Sequence, residues 1–202
     1  MGKIIAVFIL TFVLISCATP GDKVTLDNGE SDFNTTGRSL VLGKRINFSN
    51  KKFSMKSPPT NWEISKRSGP KLIISWRNKS SRSEMGIQVF EGKMFLLTDS
   101  LIKKTNEFFI EIMKSHILSQ NKNFTLIGTE TKEIKVNDTS FHRIILDVKF
   151  SDVGISVRMK MVLTWWVIEG DICTIWLVSP LRVYKEDLFT IEQMLRSIVF
   201  LK

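Results

Sequence analysis

Cysteine, histidine and tyrosine are nearly missing from this chain, whose 202 residues include two Cys, two His and one Tyr. Two cysteines cannot build the disulfide framework that staples small exported folds. Two histidines fall short of the three or four clustered ligands a zinc site uses, and no HExxH spacing occurs. His116 falls near the apolar stripe of a predicted helix and His142 on the apolar face of a predicted strand, so both read as core or rim residues. No Gly-x-Ser-x-Gly elbow, phosphate loop or dinucleotide glycine pattern is present. With no catalytic grouping, metal set or cofactor motif, the chain does not read as an enzyme. Acidic residues are outnumbered most strongly in one stretch. Between Lys44 and Arg82, 11 Lys or Arg accompany the single acid Glu63. Outside it the two signs nearly balance, so this segment accounts for the net charge of +9.

What is abundant is β-patterning, strongest in the hairpin from Ile155 to Val178. Ile155, Val157, Met159, Met161, Leu163, Trp165 and Val167 alternate with Ser156, Arg158, Lys160 and Thr164, the period-two signature of a strand with one apolar face. Glu169-Gly170-Asp171 supplies a turn. The return strand is apolar on both faces, with Ile172, Trp176 and Val178 on one and Cys173, Ile175 and Leu177 on the other. Such a strand needs cover above and below, which predicts a sheet sandwiched between helices. Cys173 then reads as a small buried hydrophobe. Trp165 and Trp166 must point to opposite sides, Trp166 lying beneath a helix.

The first 16 residues read as an export signal. Lys3 is a positive n-region, and Ile4 to Ile15 form an apolar run shorter than the ~20 residues of a membrane-spanning helix. Leu14-Ile15-Ser16-Cys17 resembles the bacterial lipobox, in which small residues admit the peptidase and the Cys17 thiol carries diacylglycerol. Lipid chains contribute about 0.8 kcal/mol per buried CH₂, so two or more give stable attachment. Ala18, rather than aspartate, favours the outer membrane under the common sorting rule. Residues 17–43 are rich in Gly, Asp, Asn, Ser and Thr and read as a lipidated tether, able to reach roughly 25–30 Å.

The globular domain is predicted over residues 44–202. It opens with short strands around Lys52–Lys56, Trp62–Ser65, Leu72–Trp76 and Met85–Phe90. Thr98 or Asp99 can cap a helix carrying Leu101, Ile102, Thr105, Phe108, Phe109, Ile112, Met113 and Ile117. Phe124–Gly128 and Ile134–Val136 suggest a strand interrupted by Thr-Glu-Thr-Lys-Glu, and Asn137 to Ser140 is turn chemistry. His142, Ile144, Leu146, Val148 and Phe150 mark one face of the next strand. After Pro180 a helix with Tyr184, Leu188, Ile191, Leu195 and Ile198 closes the domain. Glu186 and Asp187 complement its positive end.

This order of elements resembles the PsbP-like fold of extrinsic photosystem PsbP proteins and DcrB-type bacterial lipoproteins. The resemblance rests on Pro58-Pro59-Thr60-Asn61-Trp62, the single long helix after the first strands, the turn Val136-Asn137-Asp138-Thr139 before Phe141, the long hairpin, and the ending Leu195-Arg196-Ser197-Ile198-Val199-Phe200. Asn61 stands where the family's opening usually has glycine. The resemblance implies an α+β fold, an antiparallel β-sheet sandwiched by helices (an α/β/α sandwich), in proteins that often act as assembly or accessory factors. It carries over no catalytic or metal residue.

Two functions follow as expectations. The first is a lipid-anchored, non-catalytic protein of the bacterial envelope, attached through Cys17 and serving another envelope component. The second is binding of an anionic ligand, either lipid headgroups or envelope polysaccharide, by Lys51, Lys52, Lys66, Arg67, Arg77, Lys79 and Arg82. Nucleic acid suits the charge but conflicts with export.

Overall fold

The computed structural model describes residues 40–48, 53–65, 72–92, 97–120, 124–137, 139–152 and 155–201. Cys17, the signal segment and the tether up to residue 39 lie outside them, as do Lys51, Lys52, Lys66 and Arg67.

The main sheet has seven strands: β3 (Trp62–Ile64), β4 (Leu72–Asn78), β5 (Glu84–Phe90), β6 (Phe124–Val136), β7 (Thr139–Asp152), β8 (Ile155–Ile168) and β9 (Asp171–Pro180). Their spatial order is β3-β4-β5-β9-β8-β7-β6, with every neighbouring pair antiparallel. The predicted hairpin is β8–β9. Its turn is only Glu169-Gly170, because Ile168 already pairs with Asp171. Both turn residues have positive φ (50° and 91°), the geometry that matches the twist of the flanking strands.

β9 is central, between β5 and β8, and its two apolar faces belong to different cores. Ile172, Trp176 and Val178 join Ile144, Leu146, Val148, Met161, Leu163 and Trp165 beneath helix α1 (Asp99–Gln120). Cys173, Ile175 and Leu177 join Ile145, Val162 and Trp166 beneath helix α2 (Tyr184–Arg196). The predicted fold is therefore realised as an antiparallel sheet with two helices, one packed on each face. The α2 face has a second cover, a three-stranded sheet of order β1-β2-β10. Its strands are β1 (Arg45–Phe48), β2 (Phe53–Lys56) and β10 (Val199–Phe200). Just before β1, Leu42 packs against this core and the Gly43 N–H donates to the Ser57 carbonyl.

Several local expectations change. Trp166 shares the core beneath α2 but its ring contacts come from strands: Phe53 of β2 meets it edge-on at 5.8 Å and Phe141 of β7 at 5.4 Å. The alternation in β8 also breaks down, because Met161 to Trp166 are buried on both faces. β6 runs unbroken through Thr129–Glu133, with a bulge between Leu126 and Gly128. Those polar residues sit on the outermost strand, where side chains remain solvated and charge protects the open edge.

α1 begins as predicted, the Leu101 N–H donating to Thr98 Oγ1 at 3.3 Å. Its buried stripe is Thr105, Phe109, Met113 and Ile117, whereas Phe108 is turned outward. Asn106 on the same helix accepts from the indole N–H of Trp165 at 2.8 Å. α2 stops at Arg196, so Val199 and Phe200 form a strand instead of extending the helix. Ser197 fastens this junction, its hydroxyl donating to the Met194 carbonyl (2.6 Å) and accepting from the Lys56 N–H (2.8 Å). Arg45 adds bonds to the Ser197 carbonyl and to Ser54 Oγ, both 3.0 Å.

Candidate functional site

Of the basic residues proposed for anion binding, Arg77, Lys79 and Arg82 are described and sit at one end of the β4–β5 hairpin, whereas Arg45 and Lys56 of the same segment lie on β1 and β2. Arg77 lies between Glu63 and Glu84 across the strands and approaches Glu84 at 3.8 Å. Lys79 approaches Glu63 at 3.8 Å, with both side chains more than half exposed. The exposed Lys79–Glu63 pair contributes at most about 1 kcal/mol, and both acids lower the local positive potential. Arg82 is exposed at the loop tip with φ of 61°. Arg77, Lys79 and Arg82 thus share one hairpin end, along with two acids.

The same loop delivers a buried constellation that sequence reasoning missed. Asn78 Oδ1 accepts from the N–H groups of Ser80 and Ser81, folding the chain so that Ser81 and Ser83 point inward. Ser81 donates to Ser83 at 2.8 Å, and Ser83 donates to Asp187 Oδ2 at 2.5 Å. Ser179, on β9, donates to the same oxygen at 2.6 Å. Asp187 is in the first turn of α2, so these hydroxyls tie loop, sheet and helix together. Burial pushes its carboxyl above the usual range, against the bonds from Ser179 and Ser83. Among the described residues the group consists of serine hydroxyls converging on one carboxylate oxygen, which clamps loop, sheet and helix together. The only sequence signal was the acidic first turn of α2, which reads equally well as dipole complementation.

A pH dependence follows. Because the folded-state pKa of Asp187 is raised, its contribution is fully present below the unfolded value near 4 and is lost as pH rises through the folded value. Asp187→Asn keeps an acceptor for one serine and cannot ionise. Its stability relative to the native protein should therefore improve from acidic toward neutral pH and then level off. Denaturant midpoints across a pH series measure this, and a flat or declining difference would remove the assignment.

A second polar group lies on the same face, nearer β6. Asp147 accepts from Arg158 through Nε–Oδ1 (2.9 Å) and Nη2–Oδ2 (2.6 Å), and from Lys160 Nζ at 2.6 Å. The Arg158 bonds chiefly, with Lys160 assisting, hold its carboxyl below the usual range. Four residues back along β7, beyond Ile145, Arg143 is 1% exposed. Its Nε donates to Thr164 Oγ1 (3.1 Å) and its Nη1 to Glu192 Oε1 (2.8 Å). Nη2 is buried with no partner among the described residues. Tyr184 of α2 adjoins both groups, its phenol pushed up to about 12 by burial, and Lys160 Nζ lies 5.9 Å from its ring centre. The sequence did place Arg158, Lys160 and Thr164 on the non-apolar side of β8, but gave them no role.

His142 is buried against Trp165, ring centres 4.4 Å apart, and burial pushes its imidazole below the usual value, toward the neutral form. Cys173 is buried in the core, as predicted. The His116 side chain lies outside the described residues. Among the described residues no three His, Cys, Asp or Glu side chains converge as metal ligands, and no helix is long and apolar enough to cross a membrane.

No family model matches the chain, and neither does any curated protein. Solved structures do. The cyanobacterial PsbP protein CyanoP of Synechocystis is similar at TM-score 0.55 and 13% identity, over 81% of this chain and 95% of that one. The Ran-binding protein Mog1p of Saccharomyces cerevisiae is similar at TM-score 0.51 and 10% identity, over 81% and 97%. Identities this low speak for the fold alone: the chain has the PsbP/Mog1-like fold, a mostly antiparallel β-structure with two helices.

Proposed function

We propose that the chain is a lipid-anchored, non-catalytic protein of the bacterial envelope, an accessory or binding factor for another envelope component. The observation that carries this reading is Leu14-Ile15-Ser16-Cys17 at the end of an apolar run preceded by Lys3. In this reading residues 1–16 are removed, Cys17 carries the lipid, and residues 17–43 tether the α/β/α sandwich of residues 44–202 to the membrane, with Ala18 directing it to the outer one. The fold supports a binding role by analogy, since the similar Mog1p is a Ran-binding protein.

The direct test pairs metabolic labelling by a fatty-acid analogue with in-cell crosslinking. The native protein should incorporate label and crosslink reproducibly to an envelope protein, and Cys17→Ser should lose both, because a hydroxyl forms no thioether. Equal labelling of the two would sink the anchor. Normal labelling without any captured protein would sink the accessory role. A second reading, binding of anionic headgroups or envelope polysaccharide, is supported by the excess of basic residues between Lys44 and Arg82.

A further inference from the structure

Among the described residues, β6 forms one margin of the main sheet: β7 pairs with it on one side and no strand pairs on the other. It is 13 residues long, whereas β3 at the opposite margin has three. A long bare edge is a template for another strand, and proteins blunt it with charge, often lysine, or with a bulge. β6 carries both devices, but its charges alternate in sign: Glu130, Lys132, Glu133 and Lys135. All four are exposed, and Thr129 to Glu133 are exposed without a break.

Alternating signs exclude most ways of pairing this strand with a copy of itself. A two-fold axis that continues a sheet runs perpendicular to it, so each residue and its counterpart lie on the same face. Cross-strand neighbours also share a face, so the axis must pass through one residue, which meets itself. Centred on Glu130, Lys132, Glu133 or Lys135, the pairing sets like charges together. Centred on Gly128 or Thr129, it runs at once into the bulge between Leu126 and Gly128. Centred on Thr131, it sets Glu130 opposite Lys132 of the copy, and Lys132 opposite Glu130. Within one chain these two side chains already meet at 2.9 Å, on the α2 side of the sheet, where their β7 neighbours are Ile145 and Arg143. Two such pairs laid antiparallel make a square of alternating charge. On the other face Thr131 meets Thr131, a β-branched pair suited to a pleated surface. Centring on Ile134 also opposes unlike charges, Glu133 and Lys135. That ladder ends after two residues on each side, because β6 stops at Val136, and Glu133 is already held by Ser140 Oγ at 2.6 Å. The Thr131 register runs from Gly128 to Ile134 before the bulge interrupts it.

We propose that β6 docks with β6 of a second copy of this chain, antiparallel and centred on Thr131, giving a two-fold dimer with one continuous sheet. Backbone N–H and C=O groups along the outer side of β6 supply affinity, and the charge square fixes the register. The pairing is independent of the anchor at Cys17.

The experiment follows mass by sedimentation of the full chain in a neutral detergent matched in density to the solvent. The native chain should show a monomer–dimer equilibrium between micromolar and millimolar concentrations. Glu130→Lys and Lys132→Glu, each alone, set like charges opposite each other and should weaken the dimer about tenfold or more. Mixed in equal amounts, the two variants are complementary and should associate again, as should the chain carrying both substitutions. The mixture also guards against misfolding, because a chain that fails to fold offers no strand to pair. Thiol cross-linking reads the register. Relative to the native chain, Thr131→Cys should be joined to its copy by a short bis-maleimide. Thr129→Cys should not, because position 129 lies opposite Glu133, about 13 Å along the strand from its own copy. A native chain that stays monomeric would overturn the proposal and leave the edge to a different protein's strand. A dimer indifferent to both reversals, a mixture no tighter than its components, or cross-linking no stronger at position 131 than at 129 would overturn it too. Because labelling at Cys17 is measured separately, failure here leaves the anchor reading standing.

Discussion

Replacing Trp176 by alanine should lower folding stability by about 3–5 kcal/mol, the range for truncating a large aromatic residue in a core. That is a large share of the ~5–15 kcal/mol that holds a typical domain together. The size follows from position. Trp176 is 7% exposed on the central strand, across from Gly86 on β5 and Leu163 on β8. It belongs to the core beneath α1, so its loss opens a void that backbone on either side cannot collapse to fill. Denaturant unfolding should show a lower midpoint with an unchanged slope. A loss under about 1 kcal/mol would mean that this strand is not the centre of the core.

Gly86 should respond in the opposite sense depending on what stands at position 176. A Cβ at Gly86 would lie 2.7 Å from Trp176 Cζ2 and 2.8 Å from Cε2, closer than carbon atoms approach. The indole therefore rests on bare backbone, and Gly86→Ala should destabilise by about 1–3 kcal/mol through overpacking. In the Trp176→Ala background the obstruction is gone. The same substitution should then stabilise slightly, by about 0.4–1 kcal/mol, because alanine restricts the unfolded chain more than glycine does. The reversal of sign makes the coupling a direct measure of the contact. Additive effects of the two substitutions would show that the indole lies elsewhere.

These two residues also mark how far the sequence could be read. That β9 is buried on both sides was legible, because local period alone reports how many faces of a strand are apolar. The β8–β9 turn, the Thr98 cap of α1 and the alternation in β7 were legible for the same reason: each is written within a few consecutive residues. β10 was not, since two residues carry no period, and Val199 and Phe200 extend the spacing of the preceding helix. β6 read as interrupted because an edge strand pairs on one side only and needs no apolar face along its middle.

The sites show the same limit. Cys17 was singled out from a local tetrapeptide, and the charge excess of Lys44–Arg82 from one continuous stretch of sequence. The Asp187 clamp joins residues 104 apart, Ser83 and Asp187, and no local pattern announces it. Likewise, Arg158 and Lys160 are only the non-apolar side of β8 until β7 brings Asp147 against them and α2 sets Tyr184 alongside. Sequence by itself determined the two helices, the long central strands and at least one apolar face of each, because the backbone repeats 2.0 and 3.6 impose those patterns locally. Tertiary structure alone decided what covers each face and which polar groups meet there, because both depend on strand order and register between segments far apart in the chain.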